Sequence, residues 1–204
     1  MSDVPIDDEL PDSPMHTTGT DHVTIWGSNA ESVLDFYRDL LGMRVVLRQP
    51  NLDDPDQTHL FLDTGDGRII TFFVSDDRPA NRRPQQTTTG GVHHLAFSVD
   101  PDEFQEVKAA LEADGRSYNE FDRGVFHSLY TRDNDGLTIE LAADKYDIPE
   151  DRRADILVAA QRHREADGAG YAKEEHMEAA LEELGIEVDP HDLSAAASGV
   201  GSVE

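Results

Sequence analysis

Hydrophobic and polar residues follow a pattern in the first third of the chain that predicts one strand, one helix and three more strands. A strand over 22–26 precedes an amphipathic helix over about 30–41, for which Ser28 is the candidate N-cap and Gly42 the end. The three strands that follow are predicted over 43–48, 59–63 and 68–74. Residues 18–77 are therefore predicted to form a βαβββ unit.

The same order returns later in the chain. A strand over 92–99 precedes a helix over about 101–113, with Pro101 in its first turn and Gly115 after its last. Three strands follow, over 117–121, 125–131 and 137–142. Because internal repeats determine architecture, we predict an α+β fold built from two βαβββ repeats, within 18–77 and 91–146, joined by a linker over 78–91.

The flanking segments differ from the repeats. Residues 1–17 are acidic and proline-rich and are expected to form a disordered arm. Residues 147–187 predict a two-helix extension, over about 149–166 and 172–184, whose apolar faces need the repeats or a second protomer to cover them. The tail over 188–204 is expected to be disordered.

Composition narrows the classes of partner. The chain has 43 acidic and 17 basic residues, a net charge of −26, which disfavours nucleic acids and anionic membranes as partners. Excess acid and few lysines suggest adaptation to a salt-rich cytoplasm, as in haloarchaea. With no cysteine, disulfides, thiolate nucleophiles and cysteine-bound zinc are excluded. No signal peptide or membrane span is recognisable, so a cytoplasmic protein is expected.

Three strands each place one ligand-type side chain on their less apolar face. Side chains two residues apart share a face of a strand, so His22 falls with Thr24, and His94 and Glu140 occupy comparable positions in the second repeat. Two imidazoles and one carboxylate form the ligand set of non-haem Fe(II) sites, and Zn(II), Mn(II) or Ni(II) would accept the same donors. We therefore predict a divalent-metal site at these residues.

The paired units resemble the vicinal oxygen chelate superfamily, which includes glyoxalases, bleomycin resistance proteins and extradiol dioxygenases. The resemblance covers about 18–146 and rests on the stretches DHVTIWGSNAESVLDFYRDLLGM, GVHHLAFSV and SLYTRDNDGLTIEL. It implies a half-open barrel with His22, His94 and Glu140 as the metal ligands, with His94 rather than His93 because His94 aligns with His22.

The two copies differ at one expected ligand. Aligning Gly67 with Gly136 places Thr71 where the second copy has Glu140, whereas glyoxalases have a fourth ligand, a glutamate, there. The resemblance therefore favours three-ligand extradiol dioxygenases of the catechol 2,3-dioxygenase type, or fosfomycin thiol transferases.

Two further residues are candidates for catalysis. Tyr130 corresponds to a tyrosine that ring-cleaving dioxygenases place beside the substrate hydroxyl. His127 would be their acid/base histidine, although strand alternation puts it opposite Tyr130 unless a bulge intervenes. His59 is interpreted as an ordinary strand residue.

The leading hypothesis is an Fe(II)-dependent extradiol-type dioxygenase that cleaves a catecholic or related small aromatic substrate with O2, as a homodimer. A second is a non-redox enzyme on the same metal site: a glyoxalase or other lyase, an epimerase or a thiol transferase. The fosfomycin version is disfavoured because few basic residues fall near the site. A third is a metal-free binding protein like those that sequester bleomycin.

Overall fold

Two four-stranded sheets, one from each repeat, form the centre of the molecule. The computed structural model describes residues 4–193. The first sheet contains β1 (His22–Trp26), β2 (Arg44–Pro50), β3 (Thr58–Asp63) and β4 (Ile69–Val74), in the order β1-β4-β3-β2. The second contains β5 (Leu95–Ser98), β6 (Asn119–Asp122), β7 (Phe126–Arg132) and β8 (Thr138–Asp144), in the order β5-β8-β7-β6. The predicted α+β fold of two βαβββ units is confirmed, with the two sheets not closed into a barrel.

The sheets have the same internal pairing. β1 runs parallel to β4 and β5 parallel to β8, whereas the remaining neighbours are antiparallel. In each sheet the strand that follows the helix is an outer strand, and the first and last strands of the repeat lie side by side. This pairing places the beginning of each repeat next to its end, which is where the predicted ligands occur.

The first helix departs from its predicted form. α1 spans Ala30–Leu34 and continues as a π-helix over Asp35–Leu40, where the N–H of Leu41 donates to the carbonyl of Phe36 at 3.0 Å. Within this π-helical turn the consecutive side chains of Phe36 and Tyr37 are both buried. Its N-cap is Asn29, whose Oδ1 accepts the N–H of Ser32 at 2.9 Å, and not the predicted Ser28.

Three other helices complete the structure. α2 spans Phe104–Ala113 and begins with a 3₁₀ turn over Pro101–Glu103, whose cap is Asp100. α3 spans Arg153–Ala166, also after a 3₁₀ turn, and α4 spans Glu174–Glu183. Within residues 4–193, no helix combines the length and apolarity needed to cross a lipid bilayer.

The two repeats are joined through a shared core. One continuous apolar cluster includes Phe36 and Phe72 from the first repeat and Leu111, Leu129 and Ile139 from the second. Hydrogen bonds reinforce it. These run from Tyr37 Oη to Asp133 Oδ2 at 2.8 Å, from Ser28 N–H to Asp135 Oδ2 at 2.8 Å, and from Asn134 Nδ2 to Ser32 O at 2.8 Å. The β7–β8 turn of the second repeat is therefore tied to the first helix.

The C-terminal extension has a core of its own. Tyr146 and Ile156 are buried there with Met177 and Leu181 of α4, and Val125 packs against the same cluster from beside β7. The predicted tail over 188–204 and the predicted arm over 1–17 lie partly outside the described residues. In the described part of the tail, Leu193 is buried, and its carbonyl accepts a hydrogen bond from Nε2 of Gln105 on α2 at 2.9 Å.

Candidate functional site

Each sheet has one face packed on the shared core and one face turned away from it, which we call the open face. In the first sheet, Ile70, Phe72 and Val74 enter the core, so alternation places Thr71 and Phe73 on the open face. In the second sheet, Leu129, Ile139 and Leu141 enter the core, which leaves Tyr130 and Glu140 on the open face.

The second open face brings three of the predicted site residues together. His94 lies just before β5, and its Nε2 is 2.9 Å from Oε2 of Glu140 on β8. Tyr130 pairs directly with Glu140 across β7 and β8, and its ring centroid is 5.6 Å from that of His94. A nitrogen donor, a carboxylate oxygen and a phenol therefore converge on one point of the sheet.

Neighbouring side chains orient this group. Glu140 is 5% exposed, and its second oxygen, Oε1, accepts a hydrogen bond from Ser128 Oγ at 2.5 Å. Nδ1 of His94 lies 2.7 Å from Nδ1 of His93, so the ring is held on one side and presents Nε2 on the other. Ligand histidines typically have one nitrogen bonded to a neighbour in this way.

Tyr130 is held as a protonated phenol. Burial and the hydrogen bond to Glu140 raise the pKa of Tyr130 above 10, while a hydrogen bond from Arg123 partly opposes them. The Arg123 guanidinium also lies 4.7 Å from the ring centroid of Phe121, whose ring is 5.7 Å from that of Tyr130. The hydroxyl is consequently a hydrogen-bond donor at neutral pH rather than a base.

The first open face carries the remaining predicted ligand in a different setting. His22 is about half exposed at its side chain, and its Nδ1 lies 2.5 Å from Asp21 Oδ1, which leaves Nε2 available. His59 shares this face, where its ring packs 4.5 Å from Phe73. Partial burial and the nearby charge of His22 lower the pKa of His59.

The hydroxyl of Thr71 bonds to the neighbouring strand. Thr71 pairs with Thr24 across β1 and β4, and its Oγ1 donates to Thr24 Oγ1 at 2.9 Å. In the second sheet the equivalent pair is Glu140 and Ala96. The register therefore places Thr71 at the position of Glu140, as the alignment of the repeats predicts, and the first sheet has no carboxylate there.

His127 lies on the core side of its strand. β7 pairs with β8 without a register shift, so His127 and Tyr130 face opposite ways. Its ring centroid is 5.8 Å from that of Phe104 on α2, and its Nε2 lies 3.2 Å from Asp122 Oδ2. The structure thus does not bring His127 together with Tyr130, and the bulge that would have allowed it is absent from β7.

The donor set fits a divalent metal at two of its three positions. Adjacent ligands of one ion commonly lie about 3 Å apart, since each is about 2.0–2.2 Å from it, and His94 Nε2 and Glu140 Oε2 have this spacing. The ligand atoms of His22 do not lie within 4.8 Å of both of these in the described part of the chain. One chain therefore brings two of the three predicted ligands together, and the third lies elsewhere.

One group of three ligand-type residues does meet that distance limit within residues 4–193, at the start of α4. It contains Asp167, Glu175 and His176. However, Nδ1 of the buried His176 accepts the N–H of Lys173 at 2.9 Å, so its proton is on Nε2, which faces Asp167 at 3.2 Å. A ring in this state caps the helix and has no lone pair for a metal.

Sequence reasoning missed two features of the site. The open-face position of His59 follows from its register opposite Phe73, so the alternation of β3 could have revealed it. Arg123 lies between β6 and β7, where no periodicity reports side-chain direction. Its contacts with Tyr130 and Phe121 depend on how that turn folds.

Known proteins resemble the chain in sequence and structure. It is 34% identical over 110 residues to MhqE of Bacillus subtilis (strain 168), named as a candidate ring-cleaving dioxygenase, with 52% of this chain and 35% of that protein covered. It is 28% identical over 115 residues to the catechol-2,3-dioxygenase of the same organism, with 56% and 38% covered. The chain thus spans just over a third of the length of these two relatives.

One solved structure is matched over almost the whole of its own length. The glyoxalase family protein from Enterococcus faecalis is 30% identical, has a TM-score of 0.50 and is 99% covered, against 63% of this chain. The family model named Glyoxalase/Bleomycin resistance protein/Dioxygenase superfamily matches residues 19–141, which include most of both repeats and all three predicted ligands. The chain therefore belongs to the glyoxalase/bleomycin resistance protein/dioxygenase superfamily.

Proposed function

We propose that the chain is an Fe(II)-dependent extradiol-type dioxygenase that uses O2 to cleave a small catecholic substrate. The observation that carries the proposal is the convergence of His94 Nε2 and Glu140 Oε2 at 2.9 Å, with Tyr130 beside them. The relatives named as ring-cleaving dioxygenases support the reaction class. His22, His94 and Glu140 would hold the metal. When bound, the metal would bring catechol oxygens and O2 together and supply the electron transfer that ring cleavage needs.

Tyr130 would manage a proton at the substrate. Because its pKa is raised, its Oη carries a hydrogen and can donate to a catecholate oxygen as negative charge develops there. The guanidinium of Arg123 would keep this hydroxyl and the adjacent Phe121 ring in place. Phe121 would provide an apolar wall for the aromatic substrate.

We further propose that a homodimer completes the metal site, with His22 supplied by the second copy. Within one chain, the shared core and the hydrogen bond from Tyr37 to Asp133 hold the repeats in an arrangement that does not group His22 with Glu140. A second copy can approach the open faces without disturbing that core.

Exposed apolar side chains on the open faces support this assembly. Trp26 is 63% exposed, Leu47 45% and Phe121 43%, and each lies on an open face by the register of its strand. Exposed large apolar side chains on a sheet face are typical of an interface or a ligand site. In a two-fold dimer, the first open face of one copy would cover the second open face of the other.

The shared site can be tested by complementation. His22→Ala and Glu140→Ala should each abolish metal binding and O2 uptake. When the two variants are co-expressed, about half of the dimers should be mixed, and each mixed dimer has one site with all its ligands, so about a quarter of the wild-type activity should return. No recovery, or a wild-type monomer in light scattering, would overturn the shared site.

The reaction is tested on protein purified without air. With Fe(II) and a catechol, we expect O2 uptake and a yellow ring-fission product, both greatly reduced in Tyr130→Phe. Turnover with Mn(II), Ni(II) or Zn(II) and no O2 uptake would instead support the non-redox class. Purified protein that binds none of these metals would contradict both.

A further inference from the structure

Three arginines near Tyr130 have no carboxylate partner among residues 4–193. Arg132 follows it by two residues on the same face of β7, Arg82 comes from the linker, and Arg123 hydrogen-bonds to its hydroxyl. Within residues 4–193, the side chains of Arg82 and Arg132 have no hydrogen bond or ion pair. In a chain with a net charge of −26, neighbouring arginines that no acid neutralises require an explanation.

Arg82 and Arg132 line one cavity beside the candidate site. The cavity has a volume of about 250 Å³, and its wall includes Tyr130 and Thr138. Thr138 precedes Glu140 by two residues on β8, and Tyr130 is the direct partner of Glu140 on β7. The cavity therefore adjoins Glu140, one of the proposed metal ligands. A group bound in it would lie next to a substrate ring held at Tyr130.

The other charged residues of the cavity wall are already neutralised or occupied. Arg116 donates to Asp114 at 2.5 Å and to the amide oxygen of Asn134 at 3.0 Å. Asp133 accepts from Tyr37 at one oxygen and from two backbone N–H groups at the other. The cavity therefore presents the positive charges of Arg82 and Arg132, and its one carboxylate is engaged elsewhere.

The linker is docked so that Arg82 stays in place. The N–H of Gln85 donates to the carbonyl of Gly136 at 3.2 Å. The backbone of Arg83 also lies so close to Gly136 that a Cβ on Gly136 would overlap the carbonyl oxygen of Arg83. Arg82 also borders a hollow lined by Glu31 and Asp35, but neither carboxylate is within ion-pair distance of it. The backbone thus fixes the position of an arginine that no side chain neutralises.

We propose that the substrate of the candidate site carries a carboxylate, bound by Arg132 and Arg82 in this cavity. The inference rests on the proposed function for the rest of the substrate, a catechol ring. Guanidinium groups bind planar carboxylates through paired, charge-assisted hydrogen bonds. Because the acidic chain as a whole repels anions, an acidic substrate needs such a local site of opposite charge.

The test compares 3,4-dihydroxybenzoate with 3,4-dihydroxybenzamide, which has nearly the same shape and no charge. Calorimetric titration of the metal-free full chain should show at least about tenfold tighter binding of the acid. Arg132→Gln and Arg82→Gln should each weaken binding of the acid about tenfold and leave binding of the amide unchanged. Arg48 of β2 is also exposed and has no ion pair with any residue the structure describes, so Arg48→Gln is the matched control and should change neither.

Each outcome separates this inference from the proposed reaction. Equal affinity for acid and amide, or equal weakening of both in Arg132→Gln, overturns the carboxylate site. Phenylphosphonate binding more tightly than benzoate also overturns it, in favour of a tetrahedral anion. O2 uptake with no preference for the acid overturns the inference and leaves the dioxygenase intact. Acid-selective binding that needs Arg132, with no O2 uptake from either compound, supports the inference and contradicts the dioxygenase.

Discussion

Replacing Tyr37 by phenylalanine removes one hydroxyl from the junction between the two repeats. Tyr37 is 1% exposed, and its Oη donates to Asp133 Oδ2 at 2.8 Å. Burial and the charge of Asp133 raise the pKa of Tyr37 well above 10, so the hydroxyl remains a donor throughout the accessible pH range. The phenylalanine ring retains the packing against Phe36 and Phe72, whose centroids lie 5.0 and 4.6 Å from that of Tyr37.

The cost should be about 2 kcal/mol of unfolding free energy at neutral pH. A hydrogen bond to a charged group contributes about 1.5–3 kcal/mol, and a buried acceptor that loses its donor also carries a desolvation penalty. The loss stays near the middle of that range because Asp133 Oδ1 still accepts the N–H groups of Asp135 and Leu137, at 2.9 and 2.8 Å.

The deficit should depend on pH. Burial raises the pKa of Asp133 above 3.8, and the Tyr37 hydrogen bond lowers it, so the variant's folded-state pKa rises further. A carboxyl whose folded pKa exceeds its unfolded value destabilises the fold as pH rises from the unfolded pKa through the folded one. The variant's deficit should therefore be small below about pH 4 and reach its full size at pH 7.

Urea denaturation at constant KCl, at about pH 4 and pH 7, measures this difference. Tyr118→Phe is the matched control, because the Tyr118 hydroxyl donates to Glu112 at 2.7 Å at the surface, where its loss should cost under about 0.5 kcal/mol. A Tyr37→Phe deficit no larger than that of the control, or one that is the same at both pH values, would refute the reasoning.

Three more predictions concern the linker, the charge and His127. Gly136→Ala should lower the free energy of unfolding by more than about 2 kcal/mol and speed proteolysis within 78–91, because the φ of Gly136 is +83° and a Cβ there would meet the backbone of Arg83. As a control, Gly115→Ala places its Cβ within 4 Å of nothing and should lower it by about 1 kcal/mol. The urea midpoint should rise from about 0.1 to 2 M KCl as salt screens the net charge of −26, and an unchanged midpoint would contradict this. His127→Gln should lower the free energy of unfolding by about 1–2 kcal/mol and leave kcat/KM unchanged, since His127 faces Phe104; a tenfold fall in kcat in a stable variant would restore its catalytic role.

Strand faces were predictable because alternation is a property of the extended backbone. The apolar set of β8, Leu137, Ile139 and Leu141, enters the core as its pattern requires, so Glu140 must face the other way. The form of the first helix was not predictable. Two adjacent aromatic residues, Phe36 and Tyr37, lie in its π-helical part and both enter the core, and no local pattern distinguishes a π-helix from an α-helix there.

The N-cap shows the same limit. Ser28, the predicted N-cap, and Asn29 are both residue types that cap helices well. The backbone N–H of Ser28 instead donates to Asp135 of the second repeat, and Asn29 caps the helix. The choice is made by a contact 107 residues away along the chain, which no local signal contains.

The relation between the ligands depends on both kinds of information. Residues near one another in a sheet, such as Glu140 and Tyr130, follow from the register of neighbouring strands. The distance from His22 to Glu140 depends on how the repeats pack. Here the packing joins their core faces, through contacts such as Tyr37 with Asp133, and so leaves the open faces available to another copy.

Thr71 and Glu140, which occupy equivalent positions in the two repeats, differ in what their side chains contact. Thr71 faces Thr24, and its hydroxyl donates a hydrogen bond to the hydroxyl of Thr24. Glu140 faces Ala96, whose side chain forms no hydrogen bond. Glu140 is therefore held by Ser128 from β7 and keeps one oxygen directed at His94. Each chain then has one face with two of the predicted ligands, His94 and Glu140, and one face with the third, His22. Two like faces cannot bring His22, His94 and Glu140 to one ion, but two unlike faces from different copies can, and a two-fold dimer would form that combination twice.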